Sequence, residues 1–217
     1  MTAHGQNREQ PALRPVQPDT GTLVHTTADR RLATQHWLLS TLAPAGRDRA
    51  RMEWQEQGVA LLPLGTLFSA VRLPRVLVQA LAASSDPEDI DAFLEEALKG
   101  GPVICDPSGH RYYALVPASV PRTYRKAIDE EWRPNDVDCL GRDSYLGVPP
   151  VDAVEHRPHT SYWSVPMPSA AELCGALTVA RVIAAGVGRL AELEATDPHA
   201  RLQSVTALTA PRRRPTH

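Results

Sequence analysis

The pattern of apolar and polar positions predicts two helices near the start of the chain. Leu32, His36, Leu39 and Leu42 recur at helical spacing, after Thr and Asp residues that can cap a helix. A charged segment follows, and it is predicted as a short helix that ends at Gly58. The residues before this pattern are polar and show little periodicity, so no regular structure is predicted for them.

The next segments predict buried strands and then two more helices. Two short apolar runs, VALLPL and LFSAVRLP, are separated by Gly65, and such bounded runs are typical of buried strands. Pro74 stands where the first turn of a helix accepts it. Asp86 and Pro87 supply a cap and a first helical residue for another helix, which is predicted to end at Gly100.

A region rich in strand-forming residues follows. Two β-rich runs flank a Pro/Ser/Gly turn at residues 106–109, which predicts a hairpin with a loop longer than two residues. Residues 145–148 and 161–165 predict two further strands. Ser169 and Glu172 form a capping-box pattern, which predicts that the closing helix begins there.

Together these elements predict one α+β domain with a mixed, largely antiparallel sheet packed by helices. The domain is predicted to span residues 28–190. Residues 1–27 are predicted to be a disordered N-terminal segment. Residues 191–217 are predicted as a frayed helix followed by a basic, disordered tail.

Composition excludes several classes of function. The 217 residues carry a formal net charge of −2, which argues against a strongly electrostatic binder of nucleic acid or membrane. No segment approaches the roughly 20 apolar residues of a membrane span, and the first residues contain no apolar run typical of a secretory signal. Three Cys without a CxxC pair favour reduced thiols. We therefore expect a cytoplasmic protein without a membrane partner.

Asp89 and Asp91 form a D-x-D pattern inside the helix predicted after Asp86. On a helix, two residues at this spacing point about 200° apart, so they do not easily share one metal ion. Both are predicted to lie on a solvated face.

Three strings resemble the primase-polymerase-like domains of bacterial and mobile-element replication proteins, which are of the archaeo-eukaryotic primase type. The string QGVALLPL at 57–64 is similar to the family's opening G-x-x-V-x-P-L strand. DPSGHRYY at 106–113 is similar to T-P-S-G-G-x-H-x-Y-F, and VDCLGRDSYLGVPP at 137–150 is similar to V-D-x-R-G-x-G-G-Y-x-V-A-P-P-S. The three strings lie within about half of the chain and imply a primase-polymerase-like fold.

The resemblance also implies where a catalytic site would lie. Nucleotidyl transfer in this family uses two divalent cations held by carboxylates, with a His near the triphosphate. Asp138 matches the family's late acid, and either His110 or Tyr112 falls near its His. The family's early D-x-D is missing, because residues 66–73 contain no acid. His110 and Asp138 are thus the catalytic candidates of a degenerate site, and no metal or cofactor is expected.

The sequence therefore favours a binding or regulatory module without catalysis. A protein partner is the first expectation, and a nucleotide or single-stranded nucleic acid is the alternative ligand. Aromatic residues on strands can stack bases and arginines can contact phosphates. The candidate binding residues are Arg111, Tyr113, Arg142, Tyr145 and Trp163.

Two catalytic alternatives stay open at this point. The first is an active, nucleotidyl-transferring enzyme of the primase-polymerase kind. The second is a cysteine-dependent enzyme in which His110 activates Cys105, since the two residues flank one turn. A further alternative is a small structural or regulatory scaffold that makes its contacts through its ends. The observation that distinguishes it is whether helices cover the sheet face that carries Tyr113 and Trp163.

Overall fold

A computed structural model describes residues 26–196 of the chain. The predicted N-terminal segment, apart from Thr26 and Thr27, and the predicted basic tail lie outside the described residues. The helices of at least one full turn are α1 (Thr27–Leu39), α2 (Pro44–Gln57), α3 (Arg75–Ala82), α4 (Pro87–Ala97), α5 (Val120–Thr123) and α7 (Ala176–Thr196). Between α5 and the next strand lie α6 (Arg125–Ala127), a π-helical turn (Ile128–Trp132) and a 3₁₀ turn (Arg133–Asn135).

Seven strands form two antiparallel sheets in the described part of the chain. They are β1 (Ala60–Pro63), β2 (Phe68–Pro74), β3 (Val103–Asp106), β4 (Arg111–Pro117), β5 (Asp138–Leu140), β6 (Tyr145–Val148) and β7 (Tyr162–Val165). The main sheet has the order β5-β2-β4-β3-β7, and β1 pairs with β6 in a small second sheet. The α+β class predicted from the sequence is therefore confirmed.

Local capping signals explain where the early helices begin. Thr26 and Asp29 form a reciprocal capping box at the start of α1. The side chain of Asp86 accepts a hydrogen bond from the backbone N–H of Glu88 at 2.9 Å, which caps α4 as the sequence predicts. Gly58 ends α2 with a φ of 72°, a left-handed conformation that glycine adopts without steric cost.

Helices and the small sheet cover both faces of the main sheet. On one face, α3, α4 and α7 pack against strand residues such as Val71 and Tyr112. On the other face, α1, α2 and the small sheet pack against residues such as Phe68 and Trp163. Residues 26–196 therefore form three layers with two hydrophobic cores, one on each side of the main sheet.

The closing helix begins later than its capping-box pattern predicts. Ser169 does donate a hydrogen bond to Glu172 at 3.0 Å, but this bond stabilises an isolated turn. Ala171 has a φ of 67°, and the backbone N–H of Cys174 donates to the carbonyl of Leu115 at 2.8 Å. Because this segment is tied to β4, helical geometry starts only at Ala176.

Candidate functional site

One row of residues runs across all five strands of the main sheet. Arg72 of β2 is the register partner of both Asp138 in β5 and Tyr113 in β4. Tyr113 pairs in turn with Ile104 of β3, and Ile104 pairs with Trp163 of β7. Directly opposed residues of paired strands point to the same face, so the five side chains lie on one side of the sheet. The row thus brings together three residues singled out from the sequence.

A cluster of arginines and aspartates occupies the β5 end of this row. Asp136 contacts Arg111 at 2.7 Å and Arg72 at 3.8 Å. Arg133 contacts the Oδ1 atom of Asp138 at 3.4 Å. We call these five residues the arginine–aspartate cluster. Both of its carboxylates are paired with guanidinium groups.

This pairing opposes the two-metal chemistry that the family resemblance implies. Two Mg²⁺ ions need several hard oxygen ligands that are free to coordinate them. At the strand position directly opposite Asp138 the chain carries Arg72, whose positive charge repels a divalent cation. Within residues 26–196, no group of three or more His, Cys, Asp or Glu side chains is placed to hold a metal ion.

The sheet face that carries Tyr113 and Trp163 is covered. Trp163 is 2% exposed, and its indole Nε1 donates a hydrogen bond to the carbonyl of Pro150 at 3.1 Å. Tyr113 is half-buried against the core formed with α1, α2 and the small sheet. Burial raises the pKa of the Tyr113 phenol, and the nearby Asp106 raises it further. Trp163 is therefore part of the core, and neither ring is an open platform for stacking bases.

His110 lies at the tip of the β3–β4 hairpin rather than in the row. It is exposed with a φ of 53°, and its carbonyl accepts a hydrogen bond from the backbone N–H of Arg75 at 3.1 Å. Tyr112, the other residue near the family's His position, is 2% exposed. Cys105 pairs across the hairpin with Tyr112, and burial raises the pKa of the Cys105 thiol to about 11. A thiol with this pKa is protonated near neutral pH, whereas a cysteine-dependent enzyme needs a thiolate as its nucleophile.

The remaining two binding candidates, Arg142 and Tyr145, lie at the small sheet, away from the row. Tyr145 in β6 is 65% exposed, and Leu61 in β1 is 60% exposed on the same outward side. We define the outer face of the small sheet by Leu61, Pro63, Tyr145 and Gly147, which are paired across β1 and β6. Arg142 is exposed in the loop that leads into β6.

Asp91 is a polar site that the sequence interpretation missed. It accepts hydrogen bonds from the hydroxyl of Tyr162 at 3.2 Å and from Ser164. Burial raises the pKa of the Asp91 carboxyl to about 6. The prediction of a solvated face is therefore wrong for Asp91, which is partly buried, although Asp89 is exposed. The position of Asp91, three residues before the buried Leu94, was the signal that could have placed it beside the apolar stripe.

Comparisons with known proteins leave the family open. No protein-family model, no curated protein and no solved structure matches this chain. The likeness to primase-polymerase domains therefore rests on the three sequence strings. Among the described residues, no helix is both long enough and apolar enough to cross a membrane.

Proposed function

We propose that this protein is a non-catalytic, primase-polymerase-like module that binds a protein partner. The observation that carries the proposal is the pairing of Arg72 opposite Asp138, at the place where the resemblance expects metal-binding acids. Arg111 and Arg133 neutralise the two carboxylates of the same cluster. A site of this composition holds its own ion pairs and leaves no pair of free carboxylates for a catalytic cation.

A protein partner fits the exposed side chains better than a nucleic acid does. The net charge of −2 offers no cationic surplus for displacing counterions from a phosphate backbone. Of the aromatic binding candidates on the main sheet, Trp163 is buried and Tyr113 is half-buried. Tyr145 is the aromatic binding candidate that remains largely exposed.

The outer face of the small sheet is the proposed docking surface. Leu62 and Leu146 point inward and are buried, whereas Leu61 and Tyr145 point outward. Tyr and Arg are enriched among interface hot spots, and this surface offers the exposed Tyr145 together with Arg142 in the adjoining loop. The partner is accordingly expected to present an apolar patch of its own.

A nucleotide-incorporation assay tests the non-catalytic part of the proposal. The wild-type protein and the Asp138→Asn variant are incubated with primed and unprimed templates, nucleoside triphosphates and either Mg²⁺ or Mn²⁺. We expect no incorporation by either protein. Incorporation by the wild type that is lost in Asp138→Asn would show an active enzyme and overturn this part.

A binding experiment tests the docking surface. Partners are recovered with the tagged protein and purified. Calorimetry then measures the affinity of each purified partner for the wild type and for Tyr145→Glu. We expect a loss of affinity of about tenfold or more, the loss typical of a hot-spot residue. The matched control is Val76→Glu, because Val76 is 60% exposed on α3. Equal affinity of all three proteins would reject the surface, and binding of single-stranded DNA at low salt that is weakened by Arg111→Gln would favour the nucleic-acid alternative.

A further inference from the structure

A cavity of about 360 Å³ lies beside the first half of α1, apart from the outer face of the small sheet. This volume lies within the range of roughly 300–1,000 Å³ that is usual for small-molecule sites. Its remaining walls come from the loop after β6 and from the segment that leaves β7. The apolar lining residues are Val151, Val154, Trp163, Pro166, Met167 and Pro168.

Two adjacent arginines give this cavity a positive edge. Arg30 and Arg31 both line it, and both side chains are exposed. Among residues 26–196, neither guanidinium group has an ion-pair partner, unlike the arginines of the arginine–aspartate cluster. The nearest acid in sequence, Asp29, accepts hydrogen bonds from Thr26 as part of the helix cap. The positive charge is therefore available to a ligand.

A buried hydroxyl group lies behind the wall of this cavity. Thr34 lines the cavity and is 3% exposed. Its Oγ1 atom has no hydrogen-bond partner in the described part of the chain, although a threonine in a helix commonly bonds the carbonyl four residues earlier. Because this atom has almost no solvent-accessible surface, it lies beneath the cavity wall and is not a contact for a ligand.

We infer that this cavity binds a small molecule with an apolar body and one carboxylate. The apolar body packs along Val151, Trp163 and Met167, and the carboxylate is held by Arg30 and Arg31. A guanidinium group binds a carboxylate through two parallel hydrogen bonds, which makes arginine suited to this head group. The N-terminal end of α1 adds a favourable field for an anion.

A second cavity gives such a ligand room for a longer body. It measures about 640 Å³ and shares Thr27, Arg31 and Val151 with the first. Arg51 and Asp152 also line this second cavity, so its charges are mixed. We therefore place the carboxylate at the first cavity, which has arginines but no acid in its lining.

Titration with matched pairs of acids and amides tests this inference. Octanoate and 4-phenylbutyrate are compared with octanamide and 4-phenylbutanamide, using calorimetry and the fluorescence of the tryptophans. We expect saturable binding of both acids, with a Kd in roughly the millimolar range or below, and affinity at least about tenfold lower for the amides. No saturable binding of either acid, or equal binding of acids and amides, would overturn the inference.

Two variants locate the binding. The double variant Arg30→Gln/Arg31→Gln should lower the affinity for the acids by about tenfold. Its affinity for the amides should be nearly unchanged, because only the charged contact is lost. Val154→Phe should block acids and amides alike, because Val154 lines the cavity and is 37% exposed, so a larger side chain is tolerated there. The matched control is Leu193→Phe on α7, where the side chain is 42% exposed. Unchanged acid binding in the double Arg variant would refute the site even if Val154→Phe were poorly folded.

Discussion

The hydroxyl of Ser164 in β7 donates a hydrogen bond to the carboxylate of Asp91 in α4, 73 residues earlier in the chain. Tyr162, on the same strand, donates a second one to the same oxygen atom. These bonds tie a helix of one outer layer to the edge strand of the main sheet. They also satisfy a carboxylate that burial would otherwise leave without partners.

The first prediction concerns the pH dependence of stability. Burial raises the pKa of Asp91 from 3.8 to about 6, and Glu88 adds to this, while Ser164, Tyr162 and His156 partly offset it. Since the pKa of Asp91 is higher in the folded state than in the unfolded state, protonation of Asp91 favours folding. The stability that it contributes is fully present below pH 3.8 and is lost as the pH rises through 6. Asp91→Asn removes this titration.

Urea denaturation between pH 4 and pH 8 checks this prediction. The free energy of unfolding of the wild type, relative to that of Asp91→Asn, should fall by about 1–2 kcal/mol, a value reduced for solvent screening of a partly buried group. Asp89→Asn is the control on the same helix, because Asp89 is exposed and accepts a hydrogen bond from Ser84 at 2.7 Å. Parallel pH profiles for the wild type and Asp91→Asn would contradict the prediction.

The second prediction concerns the response to divalent cations. The thermal midpoint of the wild type should not rise with millimolar Mn²⁺, because the carboxylates of the arginine–aspartate cluster are paired. Arg72→Asp places a carboxylate directly opposite Asp138 and releases Asp136 from one of its arginines. We expect this variant to gain a Mn²⁺-dependent rise of a few degrees, because oxygen ligands then converge on one point.

Arg122→Asp is the control for this measurement, since Arg122 is exposed outside the cluster. It makes the same charge change and should show no Mn²⁺ response. A Mn²⁺-dependent rise in the wild type that disappears in Asp138→Asn would mean that the cluster holds a metal ion after all.

The third prediction concerns two glycines on α7. A Cβ atom at Gly186 would lie 2.5 Å from Cδ2 and 2.6 Å from Cγ of the buried Leu77, so α3 and α7 approach closely there. We expect Gly186→Ala to lower the free energy of unfolding by about 1–3 kcal/mol through overpacking. At Gly188 a Cβ atom meets nothing within 4 Å. Gly188→Ala should therefore raise stability by about 0.5–1 kcal/mol.

Chemical denaturation of the two alanine variants and the wild type measures both effects. The two variants differ in which face of α7 carries the added methyl group, so helix propensity alone predicts equal stabilisation. Equal changes of the same sign in the free energy of unfolding would show that the contact with Leu77 does not determine the effect of Gly186→Ala.

The fourth prediction concerns thiol reactivity. Burial raises the pKa of Cys105 to about 11 and those of Cys139 and Cys174 to about 12. At pH 8 only a very small fraction of these thiols is ionised. Iodoacetamide should therefore modify the thiols of the folded protein much more slowly than it modifies the thiol of glutathione. Mass spectrometry should find all three thiols modified in urea. Fast modification of Cys105 in the folded protein, slowed by His110→Ala, would revive the cysteine-dependent alternative.

Local signals in the sequence predicted the elements that local geometry controls. Pro74 and Asp86 mark the starts of α3 and α4. The turn at residues 106–109 joins β3 and β4 as a hairpin. These predictions succeeded because caps, prolines and turn residues act on the backbone within a few positions of themselves. The capping box at Ser169 failed because a long-range bond to β4 holds the following residues out of helical geometry.

The candidate site was less accessible to prediction. The sequence singles out Asp138 and Tyr113, but Arg72, the register partner that they share, stands out there only as part of an acid-free strand. The sequence does not predict the contact between Asp91 and Ser164, because no local pattern around either residue indicates that the other lies nearby. Side chains that meet across strands depend on register, which a single sequence specifies only weakly.

The sequence by itself determined the α+β class, the main helix starts and the absence of an acidic pair on β2, because each depends on residue type and short-range spacing. Only the tertiary structure decided that Trp163 is buried, that Asp138 faces Arg72, and that Asp91 lies at a layer boundary. The reason is physical: burial and charge pairing depend on which distant segments pack together, and packing is a property of the whole chain rather than of any local stretch.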